Sequence, residues 1–103
     1  MIDLKPEHRE IVLEILRRRA PDCEVWIFGS RVKGKAKPHS DLDIALMAAA
    51  PLGNPLIWEI EEDFSESDLP FRVDVLDWAS VNESFREVIR RDHAVLAPAG
   101  KAA

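Results

Sequence analysis

GSRVKGKAKPHSDLDIAL, residues Gly29 to Leu46, is the stretch on which the reading of this chain turns. It follows a short β-branched and aromatic run, EVWIF from Glu24 to Phe28, which predicts a buried strand ending in a turn at Gly29. A helical start is expected at Ser30. The turn cluster Pro38-His39-Ser40 then leads into DLDIALM, Asp41 to Met47, whose alternation predicts a second strand. Side chains two apart on a strand point the same way, so Asp41 and Asp43 share one face while Leu42, Ile44 and Leu46 fill the other.

Outward from this stretch the chain alternates helix and strand. Pro6 to Arg19 predicts a helix with an apolar stripe of Ile11, Val12, Ile15 and Leu16, and Arg17, Arg18 and Arg19 suit its C-terminal dipole. Asn54-Pro55 reads as the cap and first turn of a helix carrying Leu56, Ile57, Ile60 and Phe64, which ends before Pro70. FRVDVL, Phe71 to Leu76, predicts a third strand with Asp74 on the face opposite Val73 and Val75. Ser80 and Glu83 have capping-box spacing ahead of a last helix through Phe85, Val88 and Ile89. The expected fold is α/β, a small mixed β-sheet of three or more strands packed by about four helices. Residues 1–97 are expected to form one domain, and the small-residue end APAGKAA, with residues 98–103 as a flexible tail, is expected to fray.

The bulk composition narrows the function classes. With 47% apolar and 32% charged residues, and no apolar run near the ~18 that a membrane span needs, a soluble protein is expected and a membrane partner is not. The opening MIDLKPEHRE has no basic start followed by an apolar stretch, so the cytoplasm is the expected location. A net charge of -5 argues against nucleic acid as the main partner. One basic island stands against that background, Arg31, Lys33, Lys35 and Lys37, either a solvated loop or a steering patch. Cys23 is the only cysteine, which excludes an internal disulfide and a cysteine-based zinc cluster.

Three carboxylates are the candidates for chemistry, although taken singly Asp41 also reads as a turn or strand-start residue and Asp74 as an exposed polar position on a half-buried strand. If the second and third strands are neighbours, Asp41, Asp43 and Asp74 share one patch, and their mutual repulsion calls for a cation. A ligand set made only of oxygen suits Mg²⁺ or Mn²⁺ better than zinc. Gly29 permits close backbone approach, Ser30 offers a hydroxyl, and amides at a helix start favour a phosphate. Arg31 has two readings, a phosphate contact or a structural partner of a carboxylate. His39 reads either as a base or as a turn histidine, and Trp26, Trp58 and Trp78 as core or partner surface.

The run from Gly29 to Leu46, with Gly-Ser, an Arg, a further Gly and then Ser-Asp-x-Asp, resembles the signature of the DNA polymerase beta-type nucleotidyltransferase superfamily, and Asp74 extends the likeness over about Val25 to Leu76. The short chain is similar to the minimal nucleotidyltransferases encoded beside a helical HEPN-domain protein. That resemblance implies catalytic and metal-binding roles for Asp41, Asp43 and Asp74, and nucleotide-binding roles for Gly29, Ser30, Arg31 and Ser40. It implies Mg²⁺ or Mn²⁺ as metal, ATP as donor, and transfer of AMP to a hydroxyl of a HEPN-type ribonuclease toxin, so that the chain acts as antitoxin. The chain has no Tyr and no Thr, so an acceptor of either type lies elsewhere. A homodimer or a hetero-oligomer with the helical protein is expected. Two other readings stand beside it: an antitoxin that neutralises by binding alone, and nucleotidyl transfer to a small molecule.

Overall fold

The computed structural model describes residues 2–98. Helix α1 (Pro6–Arg19) leads into strand β1 (Glu24–Phe28), the single-turn helix α2 (Ser30–Lys33), strand β2 (Leu42–Met47), helix α3 (Asn54–Ser65), strand β3 (Val73–Asp77), a 3₁₀ turn (Trp78–Ser80), helix α4 (Glu83–Arg91) and strand β4 (His93–Ala97). The strands form one mixed sheet in the order β3-β2-β1-β4. β1 runs antiparallel to both β2 and β4, while β2 and β3 are parallel. A parallel pair needs a crossover, and α3 supplies it.

Alternation decides what each sheet face does. Val25 and Ile27 of β1, Leu42, Ile44 and Leu46 of β2, and Val73 and Val75 of β3 are buried in one core with Val12, Ile15 and Leu16 of α1 and Ile57, Ile60 and Phe64 of α3. Each such side chain is worth about 1.5–3 kcal/mol when fully withdrawn from water. Of the intervening positions, Trp26, Phe28, Asp43 and Asp74 are only partly buried and belong to the opposite face. There Phe85 of α4 meets Phe28 edge-on at 6.0 Å, and Trp26 stacks on His93 of β4 at 3.8 Å.

The expected order of elements is present, with one addition. β4 was not expected, because HAVLA is a short run with no strict alternation, and it pairs Ala97 with Val25. Ala97 is therefore held in the sheet and does not fray; of the expected tail, residues 99–103 lie outside the described residues. With α2 a single turn, three longer helices do the packing, slightly fewer than the about four expected. The cap of α4 is Asn82, whose side chain accepts from Phe85 N at 2.9 Å, while Ser80 sits in the 3₁₀ turn and donates to Asp77 at 3.3 Å. Asn54 lies inside α3, after Gly53 at the cap position. Asp77 Oδ2 accepts from Leu52 N at 2.8 Å and Gly53 N at 3.4 Å, fixing the loop that enters α3.

Candidate active site

The site is built where β2 crosses the end of β1. In the parallel register Asp43 lies beside Asp74, and in the antiparallel register Asp43 lies opposite Phe28. Partnered residues of a sheet project to the same side, so Asp43 and Asp74 share a face. Asp41 comes just before the first residue of β2, and the bond from Leu42 N to Arg72 O, 2.9 Å, ties that strand start to the approach to β3. The three acids thus occupy one end of the sheet, with Asp43 innermost and Asp74 on the edge strand.

Gly29 is required by this arrangement. It has φ +82°, ψ -156°, a conformation essentially reserved for glycine. A Cβ there would overlap Oδ2 of Asp43 and stand 3.2 Å from its Cγ. The turn after β1 therefore lies directly against the inner carboxylate. No side chain caps α2, which begins at Ser30.

Charge at the site is unbalanced. Burial, then the neighbouring Asp74 and Asp41, push the Asp43 carboxyl up to about 6, with Arg72 opposing the shift. Arg72 supplies the only ion-pair partner that Asp41 and Asp74 have among the described residues, at 3.1 Å from Nη2 to Asp41 and 3.5 Å from Nε to Asp74. Both acids in turn raise the Arg72 guanidinium pKa, Asp74 most. The three expected ligands share a face, but they are not a ready-made set. Among the described residues no three His, Cys, Asp or Glu side chains are gathered to hold a metal ion. The donor chemistry still fits a hard divalent cation, since the Asp43 carboxyl, holding its proton up to about 6 beside two further acids, signals a place short of positive charge.

Two of the expected nucleotide ligands, Arg31 and Ser40, also hold the loop before β2. Arg31 is 5% exposed, and its guanidinium donates to the carbonyls of Ser40 (2.8 Å), Asp3 (2.9 Å) and Pro38 (3.3 Å) while lying 4.2 Å over the Phe71 ring. Its partners within the chain are backbone carbonyls and not a carboxylate. Ser40 Oγ accepts from Lys37 N at 2.8 Å, closing the turn before Asp41. Both residues shape the loop. Lys33, Lys35 and Lys37 are exposed, and His39 sits with Nδ1 3.3 Å from Pro70 O, as a turn histidine does. Arg72 is the site residue that sequence reasoning passed over. Its signal was the alternation of Phe71 to Leu76, which sets Arg72 on the side of Asp74.

Residues 10–99 match the family described as polymerase beta, nucleotidyltransferase. The chain is 53% identical over 95 residues to the probable protein adenylyltransferase MntA of Haemophilus influenzae, covering 92% of this chain and 83% of that protein. It is 33% identical over 72 residues to the protein adenylyltransferase MntA of Shewanella oneidensis, covering 69% of this chain and 51% of that one. Among solved structures it is similar to a toxin-antitoxin complex with AMP-PNP, at TM-score 0.74 and 28% identity over 85% of this chain and 71% of the other. It is also similar to a complex of the tri-AMPylated Shewanella oneidensis HEPN toxin with MNT antitoxin, at TM-score 0.67 and 26% identity over 85% and 67% of the two chains.

Proposed function

Because the chain belongs to the polymerase beta-type nucleotidyltransferase family, we propose that it transfers AMP from ATP to a hydroxyl on a HEPN-type toxin and thereby acts as that toxin's antitoxin. The single observation that carries the reading is the register pairing of Asp43 with Asp74 next to the Gly29 turn. The likeness to MntA adenylyltransferases and to an AMPylated toxin complex supports the donor and the acceptor class.

Asp41, Asp43 and Asp74 would hold Mg²⁺ or Mn²⁺. When bound, such ions polarise the α-phosphoryl group and neutralise charge on departing pyrophosphate. The rest falls to the chain itself. Gly29, bare of a side chain, leaves room for a triphosphate to approach the inner carboxylate, with Ser30 beside it. The acceptor oxygen forms its bond to the α-phosphorus as the bond from that phosphorus to the α,β-bridging oxygen breaks, pyrophosphate leaves, and the hydroxyl proton passes to solvent water. Asp74 faces a groove of about 590 Å³ along the open edge of β3, between Glu61, Phe64 and Phe71, and we assign the acceptor to that side. Tyr and Thr are absent from the chain, so an acceptor of either type comes from a partner. A hetero-oligomer with the helical toxin, in the cytoplasm, follows from this reading, with residues 1–97 as its catalytic domain. No helix of the described residues is long and apolar enough to cross a membrane.

A second reading, neutralisation by docking without transfer, draws on one observation: Arg72 already makes ion pairs with both Asp41 and Asp74. Incubating the protein with labelled ATP, Mg²⁺ and the toxin encoded beside it separates the two. Label transfer that is lost in Asp41→Asn and Asp43→Asn is the expected result. Full neutralisation by those variants, with no transfer by the unaltered chain, would establish docking instead.

A further inference from the structure

Two properties meet at Arg72. It makes ion pairs with two of the three site carboxylates, yet its side chain is 73% exposed. Its backbone is held, because Arg72 O accepts from Leu42 N at 2.9 Å. The guanidinium is thus a mobile charge on a fixed tether, at the mouth of the groove that Asp74 also lines. A divalent ion entering among the acids meets a cation already paired with Asp41 and Asp74, and the two repel each other. Once released, the guanidinium is drawn to any polyanion that arrives with the metal, and its fork suits phosphate oxygens.

We propose that Arg72 is a tethered counter-cation of the carboxylate cluster, which competes with a divalent ion for Asp41 and Asp74 and turns to the triphosphate when a metal-nucleotide enters. The inference rests on the reading of the three acids as a metal site. Its consequence is coupling, with metal alone held weakly and metal with nucleotide held together.

The test uses the full chain at pH 8 and low salt, with Mn²⁺ binding followed by electron paramagnetic resonance and nucleotide binding by calorimetry with the Mg²⁺ complex of a non-hydrolysable ATP analogue. Arg72→Ala is expected to bind Mn²⁺ alone roughly fivefold more tightly than the unaltered chain, the range open to two exposed ion pairs. The same variant is expected to bind the metal-nucleotide more weakly by a similar factor, and Arg72→Lys, which keeps the charge but not the fork, to bind Mn²⁺ nearly as the unaltered chain does and the metal-nucleotide with an affinity between the two. Mn²⁺ binding that is unchanged or weakened in Arg72→Ala, or nucleotide affinity that does not fall, overturns the proposal. Absence of Mn²⁺ binding in both the unaltered chain and Arg72→Ala, or binding undiminished in Asp43→Asn, overturns the metal-site reading itself. An unchanged thermal transition in Arg72→Ala, expected of so exposed a side chain, excludes misfolding as the cause.

Discussion

At Asp43 the folded chain holds a carboxyl that keeps its proton up to about 6, against an ordinary 3.8, because burial and the charges of Asp74 and Asp41 disfavour its ionised form. Between those two values the folded state binds more protons than the unfolded one, so stability falls as pH rises through about 6 and the full penalty is present above it. Asp43→Asn removes the charge and with it the penalty. That variant is expected to melt higher than the unaltered metal-free chain at pH 8 and at the same temperature near pH 3.5, as followed by circular dichroism. Equal melting at pH 8 would show that Asp43 is ionised without cost. The same crowding explains why Gly29 has no side chain, since the space a Cβ would take belongs to the Asp43 carboxylate. Gly29, Asp41 and Asp43 were legible from one run of sequence. Arg72 was not, because an arginine on a half-exposed strand reads as solvated until the fold brings Asp41 beside it.

Between elements, the loop from α2 to β2 owes its shape to Arg31. Its guanidinium gathers the carbonyls of Asp3, Pro38 and Ser40, which joins the segment before α1 to the turn before β2. Removing a buried charge with these partners leaves several carbonyls unsatisfied. Arg31→Ala is expected to cost about 3 kcal/mol in urea unfolding, and Arg31→Lys nearly as much, since an ammonium lacks the planar fork and the stack on Phe71. A loss under about 1 kcal/mol would mean that water replaces the clamp. The start of α4 offers a finer test. Asn82→Ala is expected to cost about 1 kcal/mol by loss of the cap to Phe85 N, whereas Ser80→Ala should change stability by less than about 0.5 kcal/mol. The reverse order of effects would restore Ser80 as the cap. Sequence spacing favoured Ser80 because the capping-box pattern ignores the 3₁₀ turn that displaces the helix start.

For the molecule as a whole, β4 closes the sheet against β1 and turns the strand carrying Trp26 and Phe28 from an edge into an interior strand. A chain ending at Asp92 would expose that edge and unstack Trp26 from His93. Such a truncation is expected to lose its cooperative thermal transition, and a sharp transition retained without β4 would show the strand to be dispensable. Periodicity in the sequence by itself determined the alternation of helices and strands, the core face of each strand, and the pairing of Asp41 with Asp43 on one face, because these depend only on neighbours a few residues apart. The expectation that Asp74 joins them was conditional. Only the tertiary structure decided that β2 and β3 are parallel neighbours in the register that sets Asp43 beside Asp74, that Arg72 enters the cluster while Arg31 leaves it for the backbone, and that β4 exists at all. Strand order, register and the choice of a charged group's partner are settled by contacts between residues far apart in the chain, and no local pattern contains them.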